Sequence, residues 1–207
     1  MESDKRASLR LKSNKYRIPM SGVSTNLKQH GQLNQGQSMG VVFPYTPTIT
    51  YSRSVNYGSY DLAHTNYQPK FYSNTASPDI QLTALFTNNT EDETRYTAGA
   101  LNFLRICSLM HFGENDEFKG TPPPVILFSA YGVHQFEDFP VVISNVSYTL
   151  DSDQDYIETK ADAGSVVLPA QMFIAISLIH QPNLIATRKN FTLQGLANGS
   201  LLGQGFI

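Results

Sequence analysis

Residues 90–113 read TEDETRYTAGALNFLRICSLMHFG and carry the only long helical pattern in the chain. Thr90 and Glu93 have the spacing of a capping box, in which each side chain binds a backbone N–H group at the helix start. Acidic residues in the first turn stabilise a helix, because their negative charge lies at the positive end of the helix dipole. Gly113 is typical of the position just after a helix ends. The pattern predicts one long helix over residues 91–112.

The predicted helix has a broad apolar stripe. Apolar and small residues recur at steps of three and four, which is typical of a helix with a buried face. These residues are Tyr96, Gly99, Ala100, Phe103, Cys107 and Met110, with Leu101, Leu104, Ile106 and Leu109 beside them. We therefore expect the helix to be buried over more than half of its circumference, against a sheet.

Strand patterns lie on both sides of this helix. Residues 79–87, DIQLTALFT, alternate between apolar and polar side chains, as in a strand with one buried face. The sequence also predicts strands over residues 48–55, 125–132, 141–150 and 170–180, with a bulge near Asn145. Residues 61–78 and the acidic residues 151–167 are predicted loops. The predicted fold class is mainly β with one long helix (α+β), a β-sandwich or tube-like domain.

Composition divides the chain into three parts. Residues 1–40 are rich in Ser, Asn, Gln, Gly and Lys without a sustained period of 3.6 or 2, which predicts an extended N-terminal arm. Residues 41–183 contain the predicted β-sandwich and helix. Residues 184–207 are Gly-rich, and their apolar residues, among them Phe206 and Ile207, are costly to expose unless they dock on a partner. We interpret residues 184–207 as a C-terminal interaction tail.

Charge is sparse and unevenly distributed. Charged residues make up 15% of the 207, below the usual value of about 25%, as is typical of surfaces that face other subunits. Residues 1–17 hold six basic residues against Glu2 and Asp4, a net charge of +4, which leaves −6 elsewhere in a chain of net charge −2. This asymmetry argues against general nucleic-acid binding by the folded part and favours an arm that docks on an acidic neighbour.

The candidate partner-docking residues follow from that interpretation. They are Lys5, Arg6, Arg10, Lys12, Lys15 and Arg17 in the arm, with Phe206 and Ile207 in the tail. We expect removal of residues 1–17 to leave folding intact but to weaken assembly.

The sequence contains no recognisable catalytic motif. It has no G-x-S-x-G, P-loop, G-x-G-x-x-G or H-E-x-x-H pattern, and its five histidines are isolated from one another. Cys107 is the single cysteine, which excludes an internal disulfide framework and a cysteine-rich metal site. We predict that the protein is not an enzyme and uses no cofactor.

The acidic residues 151–162 partly match a calcium-binding loop. Asp151, Asp153 and Asp155 match the first three ligand positions of an EF-hand loop. Tyr156 and Asp162 stand where that loop requires Gly and Glu. A solvated acidic loop is therefore the better interpretation, and cation binding by these residues stays an open alternative.

No targeting or membrane segment is predicted. Residues 1–17 lack the apolar core of a signal peptide, and no run approaches the roughly 18 apolar residues of a membrane span. We expect the chain to be made in a cytoplasmic setting, with no membrane partner.

Residues 79–183 carry a characteristic order of motifs. A strand and the capped helix ending NFLR…HFG precede GTPPPV (120–125) and a strand with YG (131–132), and FPVVISNVSYTL (139–150), DYI (155–157) and LPAQMFIAISL (168–178) follow. This order resembles the tube-like domain of baseplate proteins from contractile-tailed bacteriophages, especially the baseplate tube initiator and tail-tube cap family. Residues 1–40 and the tail show no such resemblance.

The resemblance implies a structural protein of the virion. Copies would form a ring on the central hub of the baseplate, sixfold by analogy, and would initiate assembly of the tail tube. The implied partners are other copies, the hub, the tail tube and the wedge proteins, and DNA would pass through the channel without specific binding. Assembly would take place in the cytoplasm of the host bacterium.

Two alternative functions stay open at this point. The first is another tail component, namely a tube, terminator or hub protein. The second is a sugar-binding β-sandwich for host recognition, which would need an exposed aromatic patch.

Overall fold

The computed structural model describes residues 6–12, 40–116, 118–132, 134–161, 164–202 and 206. The described residues contain eleven strands and three helices. The strands are β1 (Ser8–Leu11), β2 (Gly40–Val42), β3 (Thr48–Ser52), β4 (Val55–Ser59), β5 (Lys70–Thr75), β6 (Asp79–Thr87), β7 (Ile126–Ala130), β8 (Phe136–Tyr148), β9 (Tyr156–Ala161), β10 (Gly164–Pro169) and β11 (Gln171–His180). The helices are α1 (Glu91–Cys107), α2 (Leu184–Asn190) and α3 (Leu193–Ala197).

Seven of the strands form one antiparallel sheet in the order β2-β1-β7-β8-β11-β6-β3. The other four form two hairpins, β4–β5 and β9–β10. The predicted fold class, mainly β with one long helix, is confirmed. Among the described residues there is one large sheet, so the layer that faces it is α1 and not a second sheet of similar size.

The start of α1 is capped as the sequence predicts. The Glu93 backbone N–H donates to the Thr90 hydroxyl oxygen at 3.3 Å, and the Glu93 carboxylate accepts from the Asn89 backbone N–H at 2.8 Å. Nine of the 17 helical residues are buried. Because more than half of the helical residues are buried, the predicted apolar stripe is confirmed as far as Cys107.

The end of α1 was predicted too late. The helix ends at Cys107, and Ser108 is its C-cap residue, with a hydroxyl that donates to Arg105 O at 2.7 Å. The Leu109 N–H then donates to Ile106 O at 3.1 Å, a tighter turn than that of an α-helix. Three residues after Ser108 the chain turns away, where the His111 N–H donates to Thr121 O at 3.0 Å. Leu109 and Met110, expected on the buried stripe, are therefore exposed.

The core lies between α1 and one face of the sheet. Strand β6 alternates as predicted, with its even-numbered residues from Ile80 to Phe86 buried. The neighbouring β11 buries Met172, Ile174, Ile176 and Leu178 on the same side. Each fully buried side chain of this size contributes about 1.5–3 kcal/mol relative to an exposed one.

The sheet is curled. Strands β2 and β3 lie at its two edges, yet only residues 43–47 connect them. A flat sheet of seven strands would be about 29 Å wide at the usual strand spacing, whereas the chain from residue 42 to residue 48 reaches at most about 21 Å. The two edges therefore approach one another, and Phe43 packs edge-to-face on Phe86 with ring centroids 6.1 Å apart.

Part of the predicted N-terminal arm belongs to the sheet. Residues 8–11 form β1, which pairs with β2 on one side and β7 on the other, so the prediction of an arm is wrong for these residues. Leu9 and Leu11 are buried and drive this pairing. A strand of four residues is too short for its alternation to stand out in the sequence. Most of residues 1–40 lie outside the described residues.

Two predicted loops also contain strands. Residues 61–78 include β5, and the acidic residues 151–167 include β9 and most of β10. The predicted bulge near Asn145 is confirmed, since Ser177 faces Asn145 while the next residue, Leu178, faces Ile143. None of the described helices combines the length and the apolar character that crossing a membrane requires.

Candidate assembly interface

The edge of the sheet at β2 is closed by α1. The Tyr96 hydroxyl accepts a hydrogen bond from the Val42 N–H at 2.9 Å and donates one to Val42 O at 2.6 Å. Tyr96 is buried, and this burial raises the pKa of the phenol to about 12, so the hydroxyl keeps its proton at neutral pH. The backbone groups of Val42 are thus occupied, and a strand from another chain cannot pair with them.

The opposite edge, at β3, is open. Among the described residues no strand lies on the outer side of β3, and four of its five residues are exposed. An edge strand directs alternate backbone N–H and C=O groups outward, where they can pair with another chain. The two edges of this sheet therefore differ, and one of them is available for strand addition.

Strands β3 and β6 continue beyond the sheet as a two-stranded ribbon. The Ala76 N–H donates to Ser54 O at 3.0 Å, which joins the β3–β6 pair to the β4–β5 hairpin. The Tyr60 N–H donates to Pro69 O at 3.1 Å near the far end. We define the ribbon as residues 53–78. An isolated two-stranded hairpin is marginally stable in water, so the ribbon is expected to gain stability from a partner.

The surface of the ribbon is aromatic and poor in charge. Apart from Gly58, every residue of β4 and β5 is exposed. The exposed aromatic residues are Tyr57, Tyr60, Tyr67, Phe71 and Tyr72. Arg53, Asp61 and Lys70 are the only Asp, Glu, Lys or Arg residues among the 26. Protein interfaces are enriched in tyrosine and depleted of most charged residues at their centre, so this composition is typical of a contact surface.

The aromatic side chains of the ribbon pack on one another. Tyr60 and Phe71 have ring centroids 4.6 Å apart, and Tyr57 lies edge-to-face with Tyr72 at 6.2 Å. Gly58 makes the position of Phe71 possible, because a Cβ atom at residue 58 would lie 2.3 Å from Phe71 Cζ. The rings are thus held in place before any partner arrives, which reduces the ordering cost of binding.

A hollow of about 420 Å³ lies beside the open edge. It is lined by Ile49 and Tyr51 of β3 and by Tyr131, Gln135 and Phe136 from the β7–β8 turn region. Tyr51 and Phe136 have ring centroids 6.2 Å apart across it. When a strand is added to a sheet edge, pockets of this kind receive its side chains and give specificity.

The predicted docking residues in the arm are found in different settings. Arg10, on β1, forms an ion pair with Asp138 of its own chain, and Asp138 also accepts from the Ser129 hydroxyl at 3.2 Å. Arg6 lines a second hollow, of about 340 Å³, beside Asp92 and Glu93 at the start of α1. Lys12 is exposed. Lys5, Lys15 and Arg17 lie outside the described residues.

The predicted C-terminal tail is partly helical, in α2 and α3. Phe206 packs on Phe191 with ring centroids 5.9 Å apart, whereas Ile207 lies outside the described residues. Of the predicted docking residues, Arg6, Arg10, Lys12 and Phe206 are described, and these four lie in separate settings.

Among the described residues, no group of three His, Cys, Asp or Glu residues could hold a metal ion. Asp151, Asp153 and Asp155 are exposed in the β8–β9 turn, and Asp162 lies outside the described residues. Cys107 is fully buried, and burial raises the pKa of its thiol to about 12, so it is a protonated packing residue.

The ribbon differs from the predicted loop over residues 61–78, which depends on their Asn, Gln, Ser and Pro content. The available signal was a pair of short aromatic runs, residues 57–60 and 71–72, on either side of a polar segment that contains Pro69. Two such runs around a turn are typical of a hairpin.

Comparison with models of known protein families gave no match, and comparison with curated protein sequences also gave none.

Proposed function

We propose that this chain is a structural protein of a bacteriophage tail baseplate. In this proposal copies form a ring on the central hub and initiate the tail tube, as the motif order over residues 79–183 implies. The observation that carries the proposal is the asymmetry of the sheet, which is closed at β2 by Tyr96 and open at β3.

The asymmetry favours contacts between unlike surfaces. The ribbon projects from one side of each copy and is suited to lie on a different surface of the next copy. Contacts between unlike surfaces generate a closed ring when a whole number of the rotations that relate neighbouring copies adds up to a full turn. A chain whose two sheet edges were equivalent would have no such preference.

The uncovered face of the sheet suits a channel wall. Arg10 is the single Lys or Arg in the seven strands of the sheet, and Asp138 pairs with it. The uncovered side of β11 carries Phe173, Ala175, Ser177 and Ile179. Because phosphate binding depends mainly on Lys and Arg, a wall of this composition lets DNA pass without being held.

The proposed location is the baseplate of the virion, after assembly in the cytoplasm of the host bacterium. The proposed partners are other copies of the chain, the hub, the tail tube and the wedge proteins. Neither catalysis nor a cofactor enters this role.

Antibody labelling of isolated phage tail particles tests the proposal. We expect label where the tail tube meets the baseplate. Particles without label would overturn the proposal. Label along the whole tube or at its far end would instead support the alternative of a tube or terminator protein.

One observation favours a second candidate, a sugar-binding protein, because the ribbon exposes aromatic rings. Sugars stack on the open faces of such rings, but Tyr60 and Phe71 already cover part of each other. Binding of the purified chain to a glycan array, lost on substitution of Tyr67, would support this candidate against the ring protein.

A further inference from the structure

The segment after β11 forms a small helical unit. Thr192 caps α3, where its hydroxyl oxygen accepts from the Gly195 N–H at 3.0 Å. Leu201 is buried against Gly195, since a Cβ atom at residue 195 would lie 3.2 Å from Leu201 Cδ1. The unit therefore has its own small packed centre, and the side chains that point outward are not needed for it.

The outward side chains combine apolar and basic character. Leu184, Ile185 and Leu193 are each at least 70% exposed. Arg188 and Lys189 are exposed in the last turn of α2. Residues 181–207 contain no Asp or Glu. We call residues 184–193 the basic end. Its composition predicts a partner surface that is acidic and partly apolar.

A surface of this kind lies in the turn between β8 and β9. Asp151, Asp153 and Asp155 are exposed there, with the exposed side chains of Leu150 and Tyr156 on either side. We call residues 150–156 the acidic end. Its position is fixed by the Ala170 N–H, which donates to Asp155 O at 2.8 Å.

The two surfaces lie at opposite ends of the sheet. Strand β11 starts at Gln171, next to the acidic end, and finishes at His180, from which the basic end follows. Ten strand residues separate the ends by about 30 Å. The surfaces of one chain are therefore too far apart to meet, whereas those of two chains can meet end to end.

We propose that the basic end of one copy docks on the acidic end of the next copy. Arg188 and Lys189 face the three aspartates, and the apolar side chains of α2 and α3 cover Leu150 and Tyr156. This inference rests on the proposed assembly of copies and adds a contact along the strand direction. It stacks one copy on the next, whereas the ribbon joins copies side by side.

Charge reversal tests the contact in the 207-residue chain, by sedimentation and electron microscopy at about 0.05 M salt, where charges are weakly screened. R188E/K189E is expected to raise the dissociation constant for stacking about tenfold or more, while rings persist. D151K/D153K is expected to do the same. The variant with all four substitutions is expected to restore stacking, because both partners then carry reversed charge. Circular dichroism checks that each variant is folded.

Three outcomes would overturn the inference. In the first, the wild-type chain forms rings that never stack, which leaves the proposed function intact. In the second, D151K/D153K prevents stacking but R188E/K189E does not, because another basic segment then occupies the acidic end. In the third, the wild-type chain is monomeric under all conditions, which contradicts the ring proposal as well.

Discussion

The Tyr96 hydroxyl binds both backbone groups of Val42, accepting from the N–H at 2.9 Å and donating to the carbonyl oxygen at 2.6 Å. One helical side chain thereby closes an edge of the sheet. Unpaired edges invite association with other chains, and natural sheets cover those that must not pair. The β3 edge has no such cover among the described residues. The difference between the edges directs assembly to one side of the molecule.

Replacing Tyr96 by Phe tests the edge closure. The change leaves two buried backbone groups without a partner, and we expect it to lower the free energy of unfolding by about 1–3 kcal/mol. Urea denaturation measures the loss. Y45F is the matched control, because the Tyr45 hydroxyl makes one exposed 3.3 Å contact with Thr87. Equal free energies of unfolding for Y96F and Y45F would contradict the closure of the β2 edge by Tyr96.

High pH should destabilise the chain. Burial raises the pKa of Cys107 from 9.0 to about 12, so the unfolded chain loses this proton at a lower pH than the folded chain. The stabilisation is complete below pH 9 and falls as pH rises towards 12, by about 2–3 kcal/mol between pH 9 and 11. Thermal melts across this range measure it. C107A should show a smaller fall, and an identical fall would contradict the assignment to Cys107.

Leu104 tests the place of α1 in the core. Leu104 is 0% exposed, and L104D buries an unpaired charge, which should cost about 3–5 kcal/mol. We expect little soluble folded protein. L109D is the control from the same segment, because Leu109 is 65% exposed, and it should express like wild type. Soluble, folded L104D would show that this face of α1 is not core.

N-terminal truncation separates the arm from the sheet. The expectation that removal of residues 1–17 leaves folding intact does not agree with β1, whose Leu9 and Leu11 are buried. We now expect that removal to lower stability by several kcal/mol, since each buried leucine contributes about 1.5–3 kcal/mol. Removal of residues 1–5 should leave the melting temperature unchanged. A chain that lacks residues 1–17 and melts at the wild-type temperature would contradict the role of β1.

The ribbon should govern ring formation without affecting the fold. Y57S/Y72S removes two exposed rings and should weaken ring formation by tenfold or more, since exposed tyrosines at interfaces often carry much of the binding energy. The melting temperature should change little. F112S is the control, because Phe112 is 84% exposed and lies outside the ribbon. Rings of unchanged stability in Y57S/Y72S would exclude the ribbon as the contact.

The sequence was informative where periodicity was long. The predicted bounds of β6 agree with the observed ones, because the alternation over nine residues allows a single choice of buried face. Helix α1 starts where its capping box indicates. Short or weakly patterned elements were missed. The four residues of β1 depend on pairing with the distant strand β7, which local pattern does not reveal. The six residues of β5 pair with the neighbouring β4, but their polar content is typical of a loop.

The closure of the β2 edge by Tyr96 also could not be predicted from the sequence. Tyr96 was identified as an apolar stripe residue, but its contact with Val42 joins residues 54 positions apart. Likewise, Arg10 was assigned to partner docking, and its pairing with Asp138 depends on β1 lying beside β7. Both contacts follow from the order of the strands in the sheet.

Mass photometry of the purified 207-residue chain, with negative-stain images of the same sample, tests the central claim most directly. The account predicts one discrete multiple of the 23.0 kDa chain mass, seen as closed rings around an open channel. A monomer would contradict it. So would a twofold dimer paired through its β3 edges, because that dimer would use up the open edge without forming a ring.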